Sequence, residues 1–139
     1  MDVFARHPHV WAKTVFILNY DENDGFFDHI PAPVPALGPD GRSQGTLLAT
    51  GEVLDGEAIG LGPRVPALII SPWTKGGWIN SQLFDHTSVL RFIEARFNVP
   101  VPHLTPWRKA VCGDLTSAFA FDRADPAWQE LRWHHARAA

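Results

Sequence analysis

Residues 14–29 read TVFILNYDENDGFFDH, and the fold turns on how this stretch is read. Its first half, Val15-Phe16-Ile17-Leu18, is an apolar run rich in β-branched and aromatic residues, too short to span a bilayer. A short run without polar alternation is expected to form a strand buried on both faces of a sheet. Asp21, Glu22, Asp24 and Asp28 follow at once, with Gly25 breaking the chain and His29 closing the segment. In an open α/β sheet, ligands bind just outside the carboxyl ends of the strands. Asp21 and Glu22 at such a tip are candidate ligands for a divalent metal ion, because hard cations take carboxylate oxygens and borderline ones also accept imidazole. The same residues also suit an acidic, solvated turn.

Upstream, Val3, Phe4, Val10 and Trp11, with Pro8 suited to a first helical turn, predict a short helix ending near Ala12. Helix followed by strand is the rhythm of an α/β protein. Downstream, the prolines and glycines of residues 30–45 exclude a regular helix or central strand and predict an extended wall or lid beside the acidic residues. Residues 46–59 are compatible with two short edge strands turning at Gly51. Val65 to Ile70 predicts a second strand, with Pro66 limiting its start to pairing on one side. The WTKGGW segment, Trp73 to Trp78, reads as a tight turn with hydrophobic packing around it.

Asp85, Thr87 and Ser88 are all competent helix N-caps, and Leu90, Ile93 and Phe97 then recur at helical spacing, with Val89 widening the stripe. His86 is thereby placed at a helix N-terminus, where backbone N–H groups favour an anion; as a lone histidine it suits a structural role equally. A short amphipathic turn is expected near Trp107–Val111, a cap at Asp114 to Thr116, and a surface helix from Pro126. His134 and His135, adjacent on such a helix, would diverge and make poor joint ligands.

At 139 residues the chain has room for one core. Its 45% hydrophobic and 19% charged residues are those of a folded globular protein. A net charge of −3 argues against nucleic acid as a partner and gives no attraction to anionic lipid. Cys112, the single cysteine, is expected to be a small buried residue, not a nucleophile. The N-terminus lacks the pattern of a signal peptide, so the chain as written reads as cytoplasmic.

The pattern D-E-x-x-G-x-x-D-H at Asp21-Glu22, Gly25 and Asp28-His29 resembles a signature of the phosphoesterase family. That family includes bacterial phosphocholine-specific phospholipase C, plant non-specific phospholipase C and an acid phosphatase. Gly62-Pro63-Arg64-Val65-Pro66, Ser71-Pro72-Trp73, Gly76-Gly77 and Asp85-His86-Thr87-Ser88 are similar to further family motifs, in order. PWRKAVCGDLTSAF, Pro106 to Phe119, resembles the segment closing the catalytic domain in the phosphocholine-specific branch. The resemblance implies that residues 1–121 are the C-terminal portion of an alkaline-phosphatase-like α/β domain, a sheet flanked by helices, with 122–139 a divergent tail.

It further implies a metal-dependent phosphoric ester hydrolase working through a phospho-enzyme on Ser or Thr. The substrate would be a phosphocholine lipid or other phosphate ester, phosphatidylcholine giving diacylglycerol and phosphocholine. By resemblance Asp21 and Glu22 are metal ligands, with Ca²⁺, Mn²⁺ and Zn²⁺ as candidates. His86 would contact phosphate or protonate the leaving alkoxide, His29 would hold the loop, and Arg64 would be a structural anchor. The family's early Glu-Asn metal motif and its nucleophile have no counterpart here. The chain is therefore expected to be an incomplete fragment needing an N-terminal half, and to self-associate through exposed strand edges. The alternatives are a remnant that binds metal or a partner without turnover, and an acid phosphatase on the same scaffold. Members of the family are typically secreted or periplasmic.

Overall fold

The computed structural model describes residues 2–40 and 51–127. The helix expected from Pro126, with His134 and His135, lies outside the described residues. The chain is mixed α/β, as expected. Two short helices, α1 (Asp2–Arg6) and α2 (Pro8–Trp11), replace the single one predicted, with Pro8 opening the second. Phe4 brings its ring to 5.8 Å from Trp11 and 6.0 Å from Phe16, which sets this pair of helices against the start of β1 (Phe16–Asn19).

β1 pairs antiparallel with β4 (Ala67–Ile70) in a two-stranded sheet, Phe16 opposite Ile70 and Asn19 opposite Ala67. The strand is not buried on both faces as its apolar run predicts: Leu18 is 43% exposed, and Phe16 and Leu68 are exposed too. An unbroken apolar run states that both faces are apolar, whereas burial needs a layer on each, and the described residues supply little more than the Phe4 contact. The register decides what lies at the end of β1. Tyr20 N–H donates to Pro66 O at 3.2 Å, so the loop after Tyr20 and the segment 62–66 share one end of the sheet.

β2 (Val53–Leu54) and β3 (Glu57–Ala58) form a hairpin that turns at Asp55-Gly56; the strand expected before Gly51 lies outside the described residues. Both turn residues have positive φ, 51° and 85°, the requirement of a tight two-residue turn that Asp-Gly satisfies. The residues just after the hairpin pack closely on the proline-rich segment. A Cβ on Gly60 would lie 2.4 Å from Pro33 O, and Leu61 N–H donates to that same oxygen at 3.1 Å.

Helix α3 (His86–Phe97) starts where its caps predict and stops at Asn98, whose φ of 55° is the left-handed conformation that ends helices. Its predicted apolar stripe is open: Leu90, Ile93 and Phe97 are exposed, and the one fully buried residue of the helix is Ser88. Phe92, on another side of the helix, stacks on Phe119 at 4.8 Å. Helix α4 (Pro106–Val111) has Thr105 as N-cap and Pro106 at its first position. Trp107, Cys112 and Leu115 are buried in and after it. Arg91 of α3 donates to Cys112 O (2.5 Å) and Lys109 O (3.2 Å), joining the two helices. Asp114 Oδ1 accepts from Thr116 N–H (3.0 Å) and Thr116 Oγ1 (2.6 Å) at the start of the 3-10 turn Thr116–Ala118, whose N-cap is Leu115. Residues 120–125 are stitched to the turn after β4 by Ala120 N–H to Trp73 O, Asp125 N–H to Pro72 O (both 2.9 Å) and Lys75 to Asp125 (3.1 Å).

Candidate functional site

Asp21 and Glu22 stand exposed just past the C-terminal end of β1, and neither carboxylate takes a hydrogen-bond or ion-pair partner among the described residues. Two uncommitted hard oxygen donors fit a divalent cation as part of its shell. They do not form a complete cage: among the described residues, no group of three or more His, Cys, Asp or Glu converges on one point.

The next turn of the loop is pinned elsewhere. Asp28 receives the Arg64 guanidinium at 2.9 Å and the Arg64 backbone N–H at 2.6 Å. Arg64 thus ties this part of the loop to segment 62–66. His29 is exposed, with no hydrogen bond among the described residues. Asp24 and Gly25 both adopt positive φ, 51° and 77°, the bend that brings Asp28 back toward segment 62–66.

His86 is the first residue of α3, and its Nε2 lies 2.9 Å from Tyr20 O, the carbonyl immediately before Asp21. A carbonyl oxygen only accepts, so Nε2 carries the proton and Nδ1 is the nitrogen left for other chemistry. The helix N-terminus behind His86 is already served by a carboxylate. Asp85 Oδ1 accepts from Ser88 N–H at 3.1 Å while Ser88 Oγ receives the Asp85 N–H, a reciprocal capping box.

Beneath this helix end lies an ionic cluster that sequence reasoning missed. Glu52 is 2% exposed, Asp85 6% and Arg108 17%. Arg108 donates through Nε and Nη2 to the two Glu52 oxygens (2.9 and 2.6 Å), through Nη2 to Gly60 O (2.9 Å), and through Nη1 to Asp85 Oδ2. Thr105 Oγ1 adds a 2.7 Å bond to Glu52. Burial pushes the Glu52 and Asp85 carboxyls up, but the hydrogen bonds from Arg108, with those of Thr105 and Thr87, hold both below their ordinary values. Glu52 binding and the second carboxylate raise Arg108 further, against burial. The sequence marks Asp85 as a helix cap and places Arg108 within the Pro106 to Phe119 segment, but nothing in it joins either of them to Glu52.

Cys112 is buried, and burial pushes its thiol up to about 11, with the Asp85 charge adding to the rise. Cys112 is the small buried residue expected. Beside the acidic loop, Phe26, Phe27, Ile30, Val34 and Ile59 line an open groove of about 350 Å³, with Phe27 99% exposed.

A sequence profile of the Phosphoesterase family matches residues 1–100. The chain is 55% identical to a non-hemolytic phospholipase C of Burkholderia pseudomallei over 94% of its own length and 20% of the relative's. It is 56% identical to a hemolytic phospholipase C of Pseudomonas aeruginosa over 89% of its length and 17% of the relative's. Identity to phospholipase C B of Mycobacterium tuberculosis is 47%, over 86% and 23%. The chain thus spans about a fifth of the length of these curated relatives.

Proposed function

Because the chain belongs to the phosphoesterase family, we propose that it carries the Asp21-Glu22 part of a metal-dependent, phospholipase C-type phosphoric ester hydrolase site built on an alkaline-phosphatase-like sheet. The substrate class we infer is a phosphocholine lipid such as phosphatidylcholine, cleaved to diacylglycerol and phosphocholine. The observation that carries this reading is the placement of two free, adjacent carboxylates at the strand tip, with the His86 ring fixed against the preceding carbonyl.

In this reading Asp21 and Glu22 hold a divalent cation, which when bound polarises a phosphoryl oxygen and lowers the pKa of an attacking hydroxyl. When doubly protonated, His86 offers Nδ1–H to phosphate or gives that proton to the leaving alkoxide, because Nε2–H is engaged by Tyr20 O. Asp28 and Arg64 keep the loop in place, and His29 stands exposed at its end. Phe26 and Phe27 give the groove aromatic faces suited to a quaternary ammonium, with Asp24 on the same loop adding negative charge. Phosphoryl transfer asks mainly for positioning and charge neutralisation, which this set of groups is equipped to give.

The test is a thermal melt of the chain with Ca²⁺, Mn²⁺ and Zn²⁺. A cation bound only by the native state raises Tm, and Asp21→Asn with Glu22→Gln removes the rise. A melt blind to all three cations, or a rise that survives the double substitution, rejects the assignment.

A further inference from the structure

The ionic cluster under α3 connects to the candidate site through a chain of contacts. Asp85 divides its two oxygens: Oδ2 takes the Arg108 guanidinium, while Oδ1 takes Ser88 N–H (3.1 Å) and Thr87 Oγ1 (2.7 Å). A carboxylate committed on both oxygens cannot rotate, and the residue that follows it is His86. Arg108 is itself committed on three sides, to Glu52, to Gly60 O and to Asp85. Glu52 is fixed in turn by Thr105, the cap of α4. The last contact is His86 Nε2 on Tyr20 O, next to Asp21.

We propose that Arg108 is a positioning residue for His86: by locking Asp85 against Glu52 it fixes the first turn of α3, so that His86 meets the Tyr20 carbonyl through Nε2–H and keeps Nδ1 for the substrate. This rests on the reading of His86 as a site residue. It also explains why the cation is an arginine. Glu52 and Asp85 are reached from different edges of one planar fork, whereas a lysine ammonium is a single point with no fixed second edge. With neither acid partnered, two buried charges would sit beneath the helix end, and the turn carrying His86 would have to rearrange to hydrate them.

The experiment uses the 139-residue chain with labelled histidine, observed by NMR at a pH where imidazole is neutral. In the unaltered chain His86 is expected to show a protonated Nε2 and an unprotonated Nδ1, with NOEs from its ring protons to the backbone of Tyr20 and Asp21. An Nδ1–H tautomer, or no such NOEs, overturns the proposal before any variant is made. In Arg108→Lys the NOEs are expected to be lost, while the β1–β4 amide signals persist. Retention of the NOEs in a folded Arg108→Lys chain overturns it. Should that variant unfold, Glu52→Gln with Arg108→Gln strands only Asp85, which keeps its Ser88 and Thr87 hydrogen bonds, and the same two outcomes apply. A residue that served stability alone would lower Tm and leave the His86 signals unchanged. Cation binding at Asp21 and Glu22 is read separately, so failure of the hydrolase reading and failure of this coupling are told apart.

Discussion

The guanidinium of Arg108 and the 2%-exposed carboxylate of Glu52 meet at 2.6 Å, although 56 positions separate them. Breaking a buried pair from one side strands the other charge, at a cost of roughly 3–5 kcal/mol. Arg108→Met is therefore expected to lower unfolding free energy by about that amount in urea titrations. Glu52→Gln with Arg108→Gln, which strands nothing on Glu52's side, should cost less. A single-variant loss of under about 1 kcal/mol would show that the pair behaves as a solvated one.

Acid should unfold the chain through the same cluster. Glu52 and Asp85 are held below their ordinary values of 4.5 and 3.8 in the folded state. Their stabilisation is complete above those ordinary values and is lost as pH falls through the lower, folded ones. Melts recorded across the acid range should show Tm falling below about pH 4.5. In the Glu52→Gln, Arg108→Gln chain the decline should be shallower; an equal slope would place the responsible carboxylates elsewhere.

Cys112 offers a chemical check on the core. With its thiol pushed up to about 11 and its side chain buried, it should resist alkylation by iodoacetamide at neutral pH. It should react promptly once the chain is unfolded in urea. Rapid labelling of the folded chain would contradict the packing around α4.

Asp28 and Arg64 should matter to the loop more than to the fold. Arg64 is largely exposed, so Arg64→Ala is expected to change stability by at most about 1 kcal/mol. Limited proteolysis reads the loop directly: residues 29–40 should be cut faster in the variant. An unchanged cleavage rate would mean that the backbone, not this pair, holds the loop.

Among the described residues the outer edges of β1 and β4 pair with no strand, and with Phe16, Leu18 and Leu68 exposed this leads us to expect association of the isolated chain. Sedimentation velocity should show species larger than a monomer, and lysine placed at Leu18 should reduce them. A single monomeric boundary at all concentrations would count against this.

Local signals were legible in the sequence and distant ones were not. Asp85, Thr87 and Ser88 announced the start of α3 because a cap is a matter of neighbouring residues. Pro8 did the same for α2. Asp55-Gly56 carries the stronger turn signal, yet Gly51 also stands between plausible strands, and a glycine alone does not say which turn forms. Leu90, Ile93 and Phe97 marked an apolar face, but periodicity is silent on what covers a face. The Glu52–Arg108–Asp85 cluster left no pattern at all, since ion pairs across the fold require no fixed spacing. Asp21 and Glu22 were readable from their place after an apolar run, and the register with β4 supplied their neighbour, segment 62–66.

The pairing of Asn19 with Ala67 also has a consequence for the order of events in folding. The Asp55-Gly56 hairpin and α3 are built from local contacts and can form early, whereas the β1–β4 ladder must first close the long loop between its strands. The end of β1 acquires its neighbours only at that late step. The acidic pair at that end thus reports on completion of the fold, and a chain arrested before it would keep its helical signal while Asp21 and Glu22 stood in unorganised backbone.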